Sequence, residues 1–135
     1  MKDLIREHLK KKGCPEHVVK GGLKGLIETW ETVVVEVSHG YDLTLEDYLN
    51  DMDGRQLIEE VRLLASTPAE KSLIKKLGRL DAMMKSLVDP RDHSLWGNDS
   101  AATHGWTRWK NWWYFSQPKN PGQDLRDALD HCSVA

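Results

Sequence analysis

Apolar residues recur along most of this chain at the three- and four-residue spacing of an α-helix. Residues 2–12 place Leu4, Ile5, His8 and Leu9 on one side, and Gly13 supplies a stop. Pro15 suits the first position of a second helix. Beyond the flexible pair Gly21-Gly22 come Leu23, Leu26, Ile27, Trp30, Val33, Val34 and Val37, a stripe without a slip. The run TVVVEV at 32–37 would also suit a strand, because consecutive β-branched residues favour the pleat. The stripe starts nine residues earlier and passes through the valines in phase, so helix is the expectation.

Thr44 reads as the N-cap of the next helix, with Asp47 at the position where a carboxylate complements the dipole. Leu45, Tyr48, Leu49 and Met52 form its face. Asp53 reads as a second N-cap, opening GRQLIEEVRLLAS with Leu57, Ile58, Val61 and Leu64 inward. Thr67, Pro68 and Glu70 make the clearest start signal, a capping box with proline in the first turn. Leu73, Ile74, Leu77, Leu80, Met84 and Leu87 follow at helical spacing until Asp89-Pro90 stops them. Residues 89–104 cluster Pro, Gly, Asn, Asp and Ser, and read as a long loop. A final short helix falls near 123–132. The sum is all-α: a compact single domain over 1–135, a bundle of six to seven helices.

The segment 104–118, HGWTRWKNWWYFSQP, holds four tryptophans, a tyrosine and a phenylalanine. As a helix over 105–115 it sets Trp106, Trp109 and Trp113 on one face, with Trp112 and Phe115 beside them. Arg108, Lys110 and Asn111 then point away. Each ring removes on the order of 150–250 Å² from water, enough for a handful to seal one side of a bundle. Trp30 and Trp96 can join the same cluster. Core packing is therefore the expected role of this closing C-terminal Trp-rich helix, with one edge left to meet a partner.

Composition changes this picture little; charge changes it more. At 135 residues with 39% hydrophobic and 30% charged side chains, the chain can bury a core of its own. Two cysteines, Cys14 and Cys132, are too few for a disulfide scaffold. The charged opening MKDLIREHLKKKG lacks the apolar stretch of a secretory signal, and no segment is apolar enough for a membrane span. A soluble cytoplasmic protein is expected. The net charge of -2 hides ten acidic residues against one basic between 26 and 60. Such an excess, with few cations among the rings, argues against nucleic acid and for a basic protein partner.

Candidate chemistry is sparse. A calcium loop aligned on Gly54 would use Asp51, Asp53 and Glu60, but its first ligand would be Leu49, which offers no oxygen. Cys14 and His17 with His131 and Cys132 could supply zinc ligands, though adjacent residues seldom both reach one metal. The H-E-x-x-H helix, the phosphate-binding glycine loop and G-x-S-x-G are absent. No cofactor or metal is expected, and no catalytic residue stands out. The leading expectation is a non-catalytic protein–protein interaction module of the antitoxin, immunity or adaptor kind. Its partner-binding residues would be Asp42, Glu46, Asp47, Asp51, Asp53, Trp109 and Trp112. The alternative is a small enzyme or metal protein using His93 and His104 with Asp89, Asp92 and Asp99 of the loop.

Overall fold

A computed structural model describes residues 3–132. Among them are six α-helices: α1 (Leu4–Lys11), α2 (Glu16–Ser38), α3 (Leu45–Val61), α4 (Pro68–Leu87), α5 (Asn98–His104) and α6 (Gln123–Cys132). Helix α2 is the axis, packed against α1, α3 and α4, while α6 lies against α3. The fold is all-α. Among the described residues, no helix is long and apolar enough to cross a membrane.

The valine run is helical, and its exposure follows the predicted stripe. Val33, Val34 and Val37 are buried with Leu23, Leu26, Ile27 and Trp30, while Val35 faces out. Near its start α2 bends at Gly22, whose φ of 60° and ψ of -154° are not helical. A side chain there would also run into the Arg6 guanidinium, 3.2 Å from an ideal Cβ position. Arg6 donates to the carbonyls of Val19 and Lys20, in the turn just before the bend. The predicted capping box at Thr67 forms, and the Thr44 cap is a second box, with Asp47 reaching back to it. Thr44 Oγ1 accepts from the Asp47 amide and Thr67 Oγ1 from that of Glu70, each at 3.1 Å.

Two expectations need correction. The break at Asp53 does not exist, because α3 runs unbroken from Leu45 to Val61. The residue that interrupts its apolar pattern, Arg55, itself occupies a core position at 1% exposure. Its charge is met there by Asp81 of α4, with Nη2 donating to Oδ2 at 2.8 Å and Nε to Oδ1 at 3.1 Å. A calcium loop is excluded by the same continuity, since Asp51, Asp53 and Glu60 stand on a regular helix.

The second correction concerns residues 89–118. The supposed loop begins as a strand, β1 (Val88–Pro90), paired antiparallel with β2 (Ser116–Pro118) in the register Asp89 to Gln117. It then carries α5. The aromatic stretch is not an α-helix: residues 106–111 are irregular with a turn at 108–110, and only Trp112–Phe115 are helical, as one 3-10 turn. The cause lies in Thr107 and Asn111, whose side chains capture backbone amides that a helix would need. Asn111 Oδ1 accepts from the Thr107 amide and Thr107 Oγ1 from the Lys110 amide, each at 3.1 Å. Trp30, Trp113, Tyr114 and Phe115 are buried, as core packing requires; Trp109 is 79% exposed.

Candidate functional site

Two surfaces concentrate polar and aromatic groups. The first is a cleft of about 770 Å³ between α3, the end of α1 and the segment around α5. Asp53 is among its lining residues. Its Oδ1 accepts from Tyr114 Oη at 2.7 Å and from Trp96 Nε1 at 3.1 Å. Oδ2 has no hydrogen bond among the described residues. Burial raises the Tyr114 phenol far above its ordinary value, and the Asp53 carboxylate raises it further, so the hydroxyl remains a donor.

The aromatic wall of the cleft is a column of rings. His104 stacks on Trp106 with centroids 4.5 Å apart, and Trp106 stacks on Tyr114 at 4.0 Å. Both faces of Trp106 are thereby covered. His104 Nδ1 lies 2.8 Å from the Ser100 carbonyl oxygen, which can only accept, so that nitrogen carries a proton. In the neutral ring Nε2 is left with the lone pair. At the opposite end Glu60 accepts from Lys12 at 2.6 Å and lies 3.0 Å from His8 Nε2. Burial raises the Glu60 carboxyl, but the bonds from Lys12 and His8 outweigh it and leave the group below the ordinary glutamate range.

The second surface is a ridge. Trp109 projects at the tip of the turn closed by Thr107 and Asn111, and Asn111 Nδ2 anchors that turn to Gln56 of α3 at 3.0 Å. The Arg108 guanidinium lies 5.3 Å from the Trp109 ring centroid, and Lys85 Nζ lies 5.1 Å from that of Trp112. Cations over indole faces are attracted by the ring quadrupole. Two grooves flank the pair, of about 510 and 220 Å³, with Lys85, Trp109 and Trp112 common to both. The larger is lined by Trp113, the smaller by Ser116. Trp113 Nε1 and Ser116 Oγ are both buried without a hydrogen-bond partner among the described residues.

The predicted partner-binding residues do not share one surface. Asp42, Glu46 and Asp47 are exposed around the start of α3, where Asp47 also completes the cap of Thr44. Asp51 is half-buried and accepts from Tyr41 Oη at 2.5 Å. Burial raises its carboxyl, Tyr41 lowers it, and the nearby Glu36 and Asp47 charges raise it again, with a net rise. Asp53 belongs to the cleft. Trp109 and Trp112 belong to the ridge, beside cations and toward the other end of α3; twelve residues of helix from Asp47 to Glu59 span about 18 Å.

The loop residues of the alternative are dispersed in the same way. His93 Nδ1 lies 3.2 Å from Asn98 Oδ1, and Asp92 lies 3.6 Å from Arg108. Asp89 sits in β1, Asp99 in the first turn of α5 and His104 in the cleft. Among the described residues, no group of three or more His, Cys, Asp or Glu could hold a metal ion. Cys14 lines the cleft, while the side chain of Cys132 lies outside the described residues. Sequence reasoning missed Lys12, Lys85 and Tyr114, and no local signal marks them. Lys12 and Lys85 arrive from other helices, and Tyr114 was hidden among stronger aromatic neighbours. No protein-family model, curated protein or solved structure matches the chain.

Proposed function

We propose that this protein is a non-catalytic protein–protein interaction module that engages its partner through the Trp109 ridge. The carrying observation is an indole left 79% exposed on a turn closed by Thr107 and Asn111 and anchored to α3 through Asn111. Trp and Arg are the residue types most enriched at binding hot spots, and here Arg108 and Trp109 are neighbours in contact. A fixed turn also lowers the ordering cost of association. Asp42, Glu46 and Asp47 remain available to a basic partner, as a contact separate from the ridge.

The cleft favours a second reading, a small-molecule site. Its volume of about 770 Å³ falls in the range of ligand pockets, with Asp53 Oδ2 and His104 Nε2 as its unengaged acceptors.

Affinity capture from the source lysate separates the two. Trp109→Ala should lose proteins that wild type and Val35→Ala both retain, while its unfolding midpoint stays at the wild-type value. Retention of the same proteins by Trp109→Ala would reject the ridge.

A further inference from the structure

Building on the interaction reading above, we infer that the ridge takes an acidic partner: a carboxylate-rich polypeptide segment lies across both grooves, its carboxylates meeting Arg108 and Lys110 beside Trp109. The sign is opposite to the one the overall charge suggests. The two grooves together are lined by five cations, Arg55, Arg62, Lys85, Arg108 and Lys110, against two carboxylates, Glu59 and Asp81, a net charge of +3 in a chain whose total is -2.

The two carboxylates are already engaged. Asp81 is held by Arg55, and Glu59 by Arg55 and Arg62. Lys110 forms no ion pair among the described residues, and Arg108 has only the distant, largely exposed Asp92 at 3.6 Å. Positive charge is therefore left over on the ridge. Long-range charge of this kind steers and selects an oppositely charged partner.

The exposed groups make the chemistry more specific. Arg108 and Lys110 are both exposed and flank Trp109, itself 79% exposed, so a segment carrying both carboxylates and apolar side chains finds a partner for each. A polypeptide fits better than a nucleic acid. The acidic run at 26–60 repels a long polyanion more than a short segment confined to the ridge.

The full chain is titrated with a fluorescent peptide alternating Glu and Leu, with the same peptide carrying Lys for Glu, and with oligo-dT. The Glu peptide should bind and should weaken at least about tenfold in Lys110→Glu, a change at an exposed site. It should also shift the Trp109 indole N–H resonance, assigned by loss of that signal in Trp109→Phe, a change at an exposed site. Absence of Glu-peptide binding, tighter binding of the Lys peptide or of oligo-dT, or binding that leaves the Trp109 resonance unmoved would each overturn the assignment. If Trp109-dependent capture from lysate persists in that case, only the partner's charge was misassigned; if it vanishes too, the interaction module itself is rejected.

Discussion

Removal of the Asp81 carboxylate should destabilise this protein strongly. Arg55 is 1% exposed and lies in the apolar stripe of α3 between Met52 and Ile58. Its guanidinium makes two bonds to Asp81, one to Glu59 at 3.0 Å, and sits 4.2 Å from the centroid of the Trp113 ring. Asp81 Oδ1 also accepts from Trp30 Nε1 at 3.1 Å. In Asp81→Ala the arginine keeps only Glu59, whose side chain is a third exposed and therefore a screened partner, and the buried indole N–H of Trp30 is stranded. Stranding one member of a buried pair costs on the order of 3–5 kcal/mol. Losing the indole bond adds about 1 kcal/mol, so the upper half of that range is expected.

Urea unfolding followed by far-UV circular dichroism measures the loss directly. With an unfolding entropy of about 2.1 cal/mol/K per residue, each kcal/mol corresponds to about 3.5 °C for a chain of this length, hence a fall in Tm of about 14–18 °C. The companion variant is decisive. Arg55→Met with Asp81→Leu removes both charges and keeps volume in the core, and should recover most of the loss, because buried pairs replaced by apolar residues are neutral or stabilising. If the double variant is as unstable as Asp81→Ala, or Asp81→Ala loses less than about 1 kcal/mol, a stranded charge is not what breaks the fold.

Two further outcomes are expected. Thr67→Ala should cost about 1 kcal/mol in the same urea assay, since it removes the acceptor for the Glu70 amide and half of a reciprocal cap. Glu60 sets an acid dependence: its folded-state carboxyl lies below the ordinary value of 4.5, so its stabilisation is full above that pH and fades as pH falls through the lower folded value. Glu60→Gln should therefore flatten the dependence of the urea midpoint on pH below about 4.5, and an unchanged slope would show that the contacts with Lys12 and His8 contribute nothing.

Much of what depends on near neighbours was legible: the stripe of α2, the cap at Thr44, the box at Thr67 and the short helix near 123–132 rest on residues within a few positions of one another. The aromatic segment is the local exception, where Thr107 and Asn111 override the helical spacing. Distant partners produced the other misreadings. Asp53 beside Gly54 has the composition of a helix start, yet its oxygen is taken by Trp96 and Tyr114, and the capping role is never needed. Arg55 looks like a break in the apolar pattern until Asp81, from another helix, makes it a core residue. The pairing of β1 with β2 likewise joins segments too far apart to leave a turn signature.

The division of the tryptophans follows from the least conspicuous residues among them. Had 105–115 been an α-helix, Trp109 and Trp113 would have shared a face and a fate. Thr107 and Asn111 prevent this by binding backbone amides within the turn, and Asn111 fastens the turn to Gln56. Trp113 is thereby delivered onto Arg55 in the interior, whereas Trp109 is turned outward beside Arg108. Hydrophobicity alone would have driven both rings inward, since each gains similarly from burial. Two small polar side chains decide which indole seals the core and which stands ready for a partner, so the ridge is a property of the turn more than of the aromatic content.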